Sequence, residues 1–158
     1  ALGIALLNDP GILLLDEPTT GLDPNARREI WSILLQLKKR SQTSLILTTH
    51  YMEEAERLCD ELVIMDHGEI LEQGTPAELI KRHVEPDVVE IRGEVTDSSD
   101  IERLCRVEHI GRSHYCYTHN PRPLLDHLQE QDDLVFLHRP ADLEDVFLKL
   151  TGRELRDT

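Results

Sequence analysis

The spacing of apolar positions in the first part of the chain predicts a strand, a helix and a second strand, in that order. Residues 12–15 are a continuous apolar run between Pro10-Gly11 and Asp16, which is typical of a strand buried on both faces of a parallel sheet. Apolar residues recur at helical spacing over residues 30–37, after a helix start at Asp23-Pro24. Residues 45–48 are apolar or β-branched and predict the next strand. Trp31 lies beside the apolar stripe, so we expect it in a core or an interface.

The pattern then predicts a short helix, a hairpin and a second short helix. Residues 52–59 have a helical pattern, and residues 62–65 and 70–73 are apolar segments joined by a turn in which Gly68 supplies a positive φ. Residues 75–78, with the sequence Thr-Pro-Ala-Glu, form a capping box that starts a helix ending near residue 82 or 83.

A change of pattern at Glu85-Pro86-Asp87 predicts a domain boundary, with domains at residues 1–84 and 85–158. The second part alternates strands with helices, and a final helix capped by Asp142 ends at Gly152. The predicted elements are strand 88–95, helix 99–104, strands 107–110 and 115–118, helix 123–130, strand 134–137 and the terminal helix. This βαββαβ order predicts a small α+β domain of the ferredoxin-like type.

Composition narrows the class of protein. The formal net charge of −14 argues against binding nucleic acid through a broad basic face. The three cysteines have no CxxC spacing, which favours reduced thiols in the cytosol over a disulfide framework. No apolar run approaches the roughly 20 residues that a membrane span requires. Residues 1–7 are apolar at helical spacing with no capping residue before them, which predicts that the chain is part of a longer protein.

Candidate chemistry lies where the two predicted strands end. Asp16 and Glu17 follow the first strand and His50 follows the second. Parallel strands present their carboxyl ends at one edge, where ligands bind in open α/β sheets. We therefore expect these side chains to form one site. A simpler alternative is that the two carboxylates only cap the next helix.

At this point the sequence resembles an ATP-binding cassette (ABC) ATPase, through residues 12–24 and the threonine-rich strand that ends at His50. The resemblance implies an α/β fold in which residues 1–84 are the C-terminal part of a P-loop-type nucleotide-binding domain. It implies that Asp16 holds the Mg²⁺ of ATP through water and that Glu17 activates the attacking water. By the same resemblance His50 contacts the γ-phosphate, and Asp23 lies on a loop that crosses to a second subunit.

Other parts of the family pattern are missing from this sequence. None of the eight glycines forms the G-x-x-x-x-G-K-[ST] phosphate loop, and no glycine pair can form the signature motif. We therefore expect the polypeptide alone neither to bind ATP tightly nor to hydrolyse it. Residues 141–155 resemble the end of subunits from drug and lipooligosaccharide export systems. That resemblance implies a dimeric subunit that drives a separate membrane permease from the cytoplasmic face.

Three alternatives accompany this interpretation. The chain could be a non-catalytic regulatory fragment whose C-terminal domain binds a partner, or an ABC ATPase with a role outside transport. The third is a metal site, since zinc suits the residue types of His109, His114, Cys116 and His119. A half-exposed polar hairpin is favoured over metal because strand alternation puts His114 and Cys116 on one face and His119 on the other, and no recognised ligand spacing is present.

Overall fold

The fold was analysed in a computed structural model that describes residues 10–40, 43–93, 99–111, 113–131 and 134–152. The helix predicted over residues 1–7 lies outside these residues. The strands are β1 (Ile12–Asp16), β2 (Ser44–Thr48), β3 (Leu62–Asp66), β4 (Glu69–Gly74), β5 (Asp87–Arg92), β6 (Arg106–Ile110), β7 (Ser113–Thr118) and β8 (Val135–Pro140). The helices are α1 (Pro24–Arg40), α2 (Met52–Leu58), α3 (Pro76–His83), α4 (Ser99–Leu104), α5 (Arg122–Gln129) and α6 (Leu143–Thr151). The predicted α/β class is confirmed.

Contacts within the chain divide it into two compact units, residues 1–60 and 61–158. The β3–β4 hairpin and α3 group with the second unit, where α3 packs against α6. The domain boundary predicted near residues 84 and 85 therefore falls inside this unit, and it stays a prediction.

In the first unit, β1 and β2 pair in parallel and are joined through α1. The register sets Leu14 opposite Ile46 and Asp16 opposite Thr48. One face of the pair packs on α1 and α2, around a core formed by Trp31, Leu34 and Leu58. Trp31 is 2% exposed, which confirms its predicted place in a core.

The other face of this strand pair departs from the prediction that β1 is buried on both faces. Ile12 is 63% exposed, Leu14 71% and Ile46 57%. Side chains alternate between the faces of a strand, so the even-numbered positions share this outer face. Within the described residues the sheet contains only β1 and β2, and the helices that cover it lie on the opposite side. The apolar run correctly predicts a strand, but it does not reveal what covers the second face.

In the second unit, turn chemistry explains where β3 and β4 reverse and where α3 begins. His67 and Gly68 both have positive φ, of 50° and 81°, as a type I′ hairpin turn requires. The capping box of α3 is present: the Thr75 hydroxyl accepts from the Glu78 N–H at 3.2 Å, and a Glu78 oxygen accepts from the Thr75 N–H at 3.2 Å. The backbone N–H and the hydroxyl of Thr75 both donate to the Glu78 carboxylate, which lowers the pKa of Glu78.

The remaining strands form one antiparallel sheet in the order β6-β7-β5-β8. With α4 and α5 between the strands in sequence, this is the predicted βαββαβ arrangement. The buried core on one face contains the apolar residues Val89, Ile91, Ile101, Cys116, Leu124 and Leu128. Strand β8 extends to Pro140, beyond its predicted end. Because β8 is an edge strand, a proline can occupy its end without removing a hydrogen bond from a central ladder.

A buried polar cluster joins α6 to the sheet. Asp145 is fully buried and accepts from Arg139 at 2.7 and 2.9 Å and from the Tyr117 hydroxyl at 3.0 Å. Asp142 caps α6 by accepting from the N–H groups of Glu144 and Asp145. Burial and the negative charge of Asp145 raise the pKa of Asp142 to about 6.

Candidate functional site

The parallel pairing of β1 and β2 brings the predicted site residues to one edge of the sheet. Asp16 ends β1 opposite Thr48, which ends β2, and Glu17 and His50 follow within two residues of these ends. Nδ1 of His50 lies 3.2 Å from Oε1 of Glu17. Three of the four side chains singled out from sequence therefore lie at one edge, as the predicted strand order requires.

Thr48 is a member of this group that sequence reasoning missed. Its hydroxyl donates to Oδ1 of Asp16, and Oγ1 also lies 3.2 Å from the backbone N–H of Glu17. The Thr48 carbonyl accepts from the same N–H at 3.0 Å. One residue at the end of β2 thus holds both the Asp16 side chain and the Glu17 backbone. The only sequence signal for it is a threonine at the end of an apolar strand.

The backbone at Glu17 is in the left-handed region, with a φ of 43°. For a residue that is not glycine this conformation costs on the order of 1 kcal/mol or more, and it persists only where neighbouring contacts enforce it. Here the contacts are the two Thr48 bonds to the Glu17 N–H and a 3.1 Å bond from the Thr20 hydroxyl to Oε2 of Glu17. With His50 at Oε1, both carboxylate oxygens of Glu17 have a partner.

These groups are accessible to a ligand. The Glu17 side chain is 46% exposed and that of His50 is 31% exposed. Carboxylate oxygens from Asp16 and Glu17 at one edge suit a hard cation such as Mg²⁺, which binds through one or two carboxylates while keeping several waters. A carboxylate beside an accessible edge can also accept a proton from water.

Asp23 has a different environment. Its Oδ1 accepts from the N–H groups of Asn25 and Ala26, at 2.9 and 3.1 Å, so the side chain caps α1. Within the described part of the chain, no hydrogen bond or ion pair joins Asp23 to Asp16, Glu17 or His50. Gly21, two residues earlier, has a φ of 76°, which places a left-handed residue in the exposed loop before the cap.

Tyr51 packs between His50 and Arg27. Its ring lies 4.2 Å from the ring of Tyr51, and the guanidinium of Arg27 lies 3.9 Å from the Tyr51 ring centroid. Glu54, on the first turn of α2, is fully buried and accepts from Thr19 and Trp31. Sequence reasoning missed these contacts.

The histidine and cysteine set considered for zinc is not assembled as a cluster. The rings of His109 and His114 lie 4.7 Å apart, on strands β6 and β7. Among the residues that the structure describes, no group of three or more potential metal ligands was found. No described helix has the length and apolar character needed to cross a membrane.

Comparison with known proteins identifies the class that this site and fold define. A family model for the C-terminal domain of the nodulation factor export protein NodI matches residues 93–152. A second model, described as AAA domain, putative AbiEii toxin, Type IV TA system, matches residues 1–55. The resemblance stated from sequence is confirmed: the chain is similar to ATP-binding proteins of ABC transporters.

More particularly, the chain is similar to Nod factor export ATP-binding protein I. The protein of that name from Ralstonia nicotianae is 49% identical over 164 residues, which cover 97% of this chain and 50% of the relative. The one from Cupriavidus pinatubonensis is 50% identical over 156 residues, 97% of this chain and 48% of the relative. The chain thus spans about half the length of the curated relatives it matches.

Solved structures with similarity to part of the chain include a protein described as part of an ABC transporter complex and one described as an ATP-binding cassette. One is CbiO1 from Clostridium perfringens, with a TM-score of 0.43 and 36% identity over 46% of this chain and 29% of that structure. The other is MJ1267, described as an ATP-binding cassette of an ABC transporter, with a TM-score of 0.44 and 31% identity over 51% of this chain and 32% of that structure.

Proposed function

We propose that this chain supplies the water-activating part of an ATP hydrolysis site in the ATP-binding subunit of an export ABC transporter. The observation that carries the proposal is the Glu17 carboxylate, held by Thr20 and His50 at the strand end that also bears Asp16. Phosphoryl transfer to water requires mainly a positioned nucleophile and groups that neutralise charge on the phosphate. A fixed carboxylate, a metal-binding carboxylate and an imidazole are suited to those tasks.

Glu17 is the proposed general base, and His50 is proposed to act on the phosphate. Nδ1 of His50 lies 3.2 Å from Oε1 of Glu17, so the two side chains face each other. In the imidazolium form both ring nitrogens carry a proton, so Nε2 on the far side of the ring can donate to a γ-phosphate oxygen while Nδ1 donates to the Glu17 carboxylate. Glu17 then takes the proton of the attacking water, with the Thr20 hydroxyl fixing its second oxygen.

Asp16 is the residue proposed to hold Mg²⁺, through a water molecule. Its Oδ1 accepts from the Thr48 hydroxyl, which fixes the carboxylate at the end of β1. The metal would neutralise charge on the transferring phosphate. Asp16 and Glu17 are adjacent in sequence. In this proposal the left-handed backbone at Glu17 directs the two side chains differently, so that one holds the metal and the other activates water.

We propose that the part of the site that binds the nucleotide phosphates comes from polypeptide beyond these 158 residues. The sequence contains no phosphate loop, and it corresponds to half the length of its relatives. We further propose that Asp23 and the loop before it contact a second ATP-binding subunit. In the same proposal the subunit is peripheral on the cytoplasmic face of the membrane, and a separate membrane permease uses the free energy of hydrolysis. Export as the direction follows from the relatives' name, Nod factor export ATP-binding protein.

The test is ATP hydrolysis and nucleotide binding by the full-length subunit with Glu17→Gln. We expect kcat to fall by about 10²-fold to 10⁴-fold, the usual contribution of a general base, while nucleotide binding is retained. Asp60→Asn is the matched control, because Asp60 is an 82% exposed carboxylate in the same unit and forms an ion pair with Lys38. Normal hydrolysis by Glu17→Gln excludes Glu17 as the base, and unchanged turnover in His50→Ala excludes the role proposed for His50.

A further inference from the structure

Glu54 is a buried carboxylate on the first turn of α2, in the first unit. Its side chain has no exposed surface. Oε1 accepts from the Thr19 hydroxyl and from the Trp31 indole N–H, each at 2.8 Å. One oxygen therefore joins three segments of the chain: the loop after β1, helix α1 and helix α2.

The second oxygen of Glu54 is not used in this way. Oε2 is buried and has no hydrogen-bond partner among the described residues. A buried oxygen without a partner is unfavourable, and a well-packed apolar side chain is often as stable as a buried charge. Stability alone therefore does not account for a carboxylate here. Its two short bonds instead fix where the three segments lie relative to one another.

Both segments held by Glu54 lead directly to groups at the strand ends. Thr19 lies in a turn in which Thr20 N–H donates to the Glu17 carbonyl and Leu22 N–H donates to the Thr19 carbonyl, each at 3.2 Å. The Thr20 hydroxyl in turn holds Oε2 of Glu17. On the other side, Glu54 N–H donates to the carbonyl of Tyr51, the residue after His50.

We propose that Glu54 is a positioning residue, which sets the separation of Glu17 and His50 by fixing the loop of residues 18–23 against the start of α2. The role rests on the proposed function, since it acts through Glu17 and His50 and touches neither nucleotide nor water. The bond from Thr19 orders the loop, and the bond from Trp31 keeps the Glu54 carboxylate aimed at that loop. Loss of the Thr19 bond frees the loop without altering α2.

Two variants separate this role from general stability. Thr19→Val removes only the hydroxyl that reaches Glu54 and nearly preserves side-chain volume. Glu54→Gln keeps a carbonyl oxygen that can accept from both Thr19 and Trp31. Glu53→Gln is the matched control, because Glu53 is its neighbour on α2, is 72% exposed and pairs with Arg57 at 3.8 Å.

The first measurement uses the 158-residue chain without nucleotide. Hydrogen exchange at the amides of Thr20 and Leu22 is expected to accelerate in Thr19→Val and to stay near wild type in Glu54→Gln and Glu53→Gln. Trp31 is the sole tryptophan of the chain, so its emission reports the same cluster. The wavelength of the Trp31 emission maximum should stay the same in Thr19→Val. It should shift to longer wavelength in Glu54→Ala, a variant that removes the carboxylate altogether. Unchanged exchange at both amides in Thr19→Val and Glu54→Ala overturns the proposal.

The second measurement is steady-state ATP hydrolysis by the full-length subunit. Misplacement of a reacting group by about 1 Å can cost about 10²-fold, so Thr19→Val should lower kcat by about 10-fold to 10²-fold with little change in KM. Glu54→Gln should retain most of the wild-type kcat. Equal kcat in wild type and Thr19→Val, with the loop loosened, refutes the positioning role. Absence of hydrolysis in the wild-type subunit instead refutes the proposed function, and the exchange measurement still decides whether Glu54 orders the loop.

Discussion

Replacing Arg139 by Met is expected to destabilise the second unit strongly. Arg139 on β8 donates to both oxygens of Asp145 on α6, and Asp145 has no exposed side-chain surface. The methionine retains much of the aliphatic stem but removes the guanidinium. The variant therefore leaves a buried carboxylate without its counter-charge, one of the few substitutions that produce a large loss.

The magnitude follows from what remains around Asp145. Removing one partner of a buried ion pair costs about 3 to 5 kcal/mol. The Tyr117 hydroxyl at 3.0 Å and the Asp142 N–H at 2.9 Å still donate to the Asp145 carboxylate. We therefore expect the lower end of that range, about 3 kcal/mol, which corresponds to a fall in Tm of about 12 °C or more for a domain of this size.

The loss of unfolding free energy in Arg139→Met should depend on pH, in a direction set by the pKa of Asp145. Burial raises the pKa of this carboxyl, but the hydrogen bonds and charge of Arg139, together with hydrogen bonds from the Asp142 N–H and the Tyr117 hydroxyl, hold its pKa below the usual value. A carboxyl with a lowered folded-state pKa stabilises the fold above its unfolded pKa of about 3.9, and this contribution is lost as pH falls through the folded pKa. Without Arg139, burial raises the pKa of Asp145, so the difference between wild type and Arg139→Met should shrink as pH falls from about 7 towards about 3.

Urea unfolding followed by far-UV circular dichroism at about pH 7 and about pH 3 measures both effects. Arg103→Met is the control, since Arg103 is 77% exposed and pairs with Asp100 three residues before it. An exposed pair of this kind contributes about 1 kcal/mol or less. A loss in Arg139→Met that is no larger than in Arg103→Met, or that is equal at the two pH values, would refute charge pairing as its cause.

Two further predictions concern α3 and the thiols of the second unit. Thr75→Ala removes the hydroxyl that accepts from the Glu78 N–H, and urea unfolding should show a loss of about 1 kcal/mol; no change would exclude the capping box as a source of stability. Mass spectrometry after limited alkylation of the folded chain should find Cys105 modified before Cys116. The Cys116 thiol lowers the pKa of Cys105 by hydrogen bonding, whereas Cys116 is fully buried and its pKa is raised by that bond and by burial. Faster modification of Cys116 would contradict this order.

The elements of the fold could be predicted from sequence because their signals are local. The capping box at Thr75, the positive φ at Gly68 and the apolar run of β1 each depend on neighbouring residues. The proximity of Glu17 and His50 could also be predicted from sequence, because consecutive parallel strands place their carboxyl ends at one edge of the sheet.

What the sequence did not reveal depends on contacts between distant residues. Glu54 accepts hydrogen bonds from Thr19, 35 residues away in sequence, and from Trp31, 23 residues away. No periodic pattern encodes which carboxylate of α2 is buried. The left-handed backbone of Glu17 is likewise imposed by Thr48, 31 residues further along the chain. The expected burial of β1 on both faces was wrong for a related reason: hydrophobicity records that a face is suited to burial, not which polypeptide buries it.

The exposed outer face of the β1–β2 pair affects how the isolated chain should behave in solution. Ile12, Leu14 and Ile46 favour self-association by burying apolar surface, whereas the net charge of −14 keeps molecules apart. The Debye length, beyond which charge repulsion is largely screened, is about 10 Å at 0.1 M salt and about 3 Å at 1 M. Salt leaves the apolar attraction in place. Oligomerisation of the chain should therefore increase with ionic strength as well as with concentration, so its monomer is best studied in dilute, low-salt buffer.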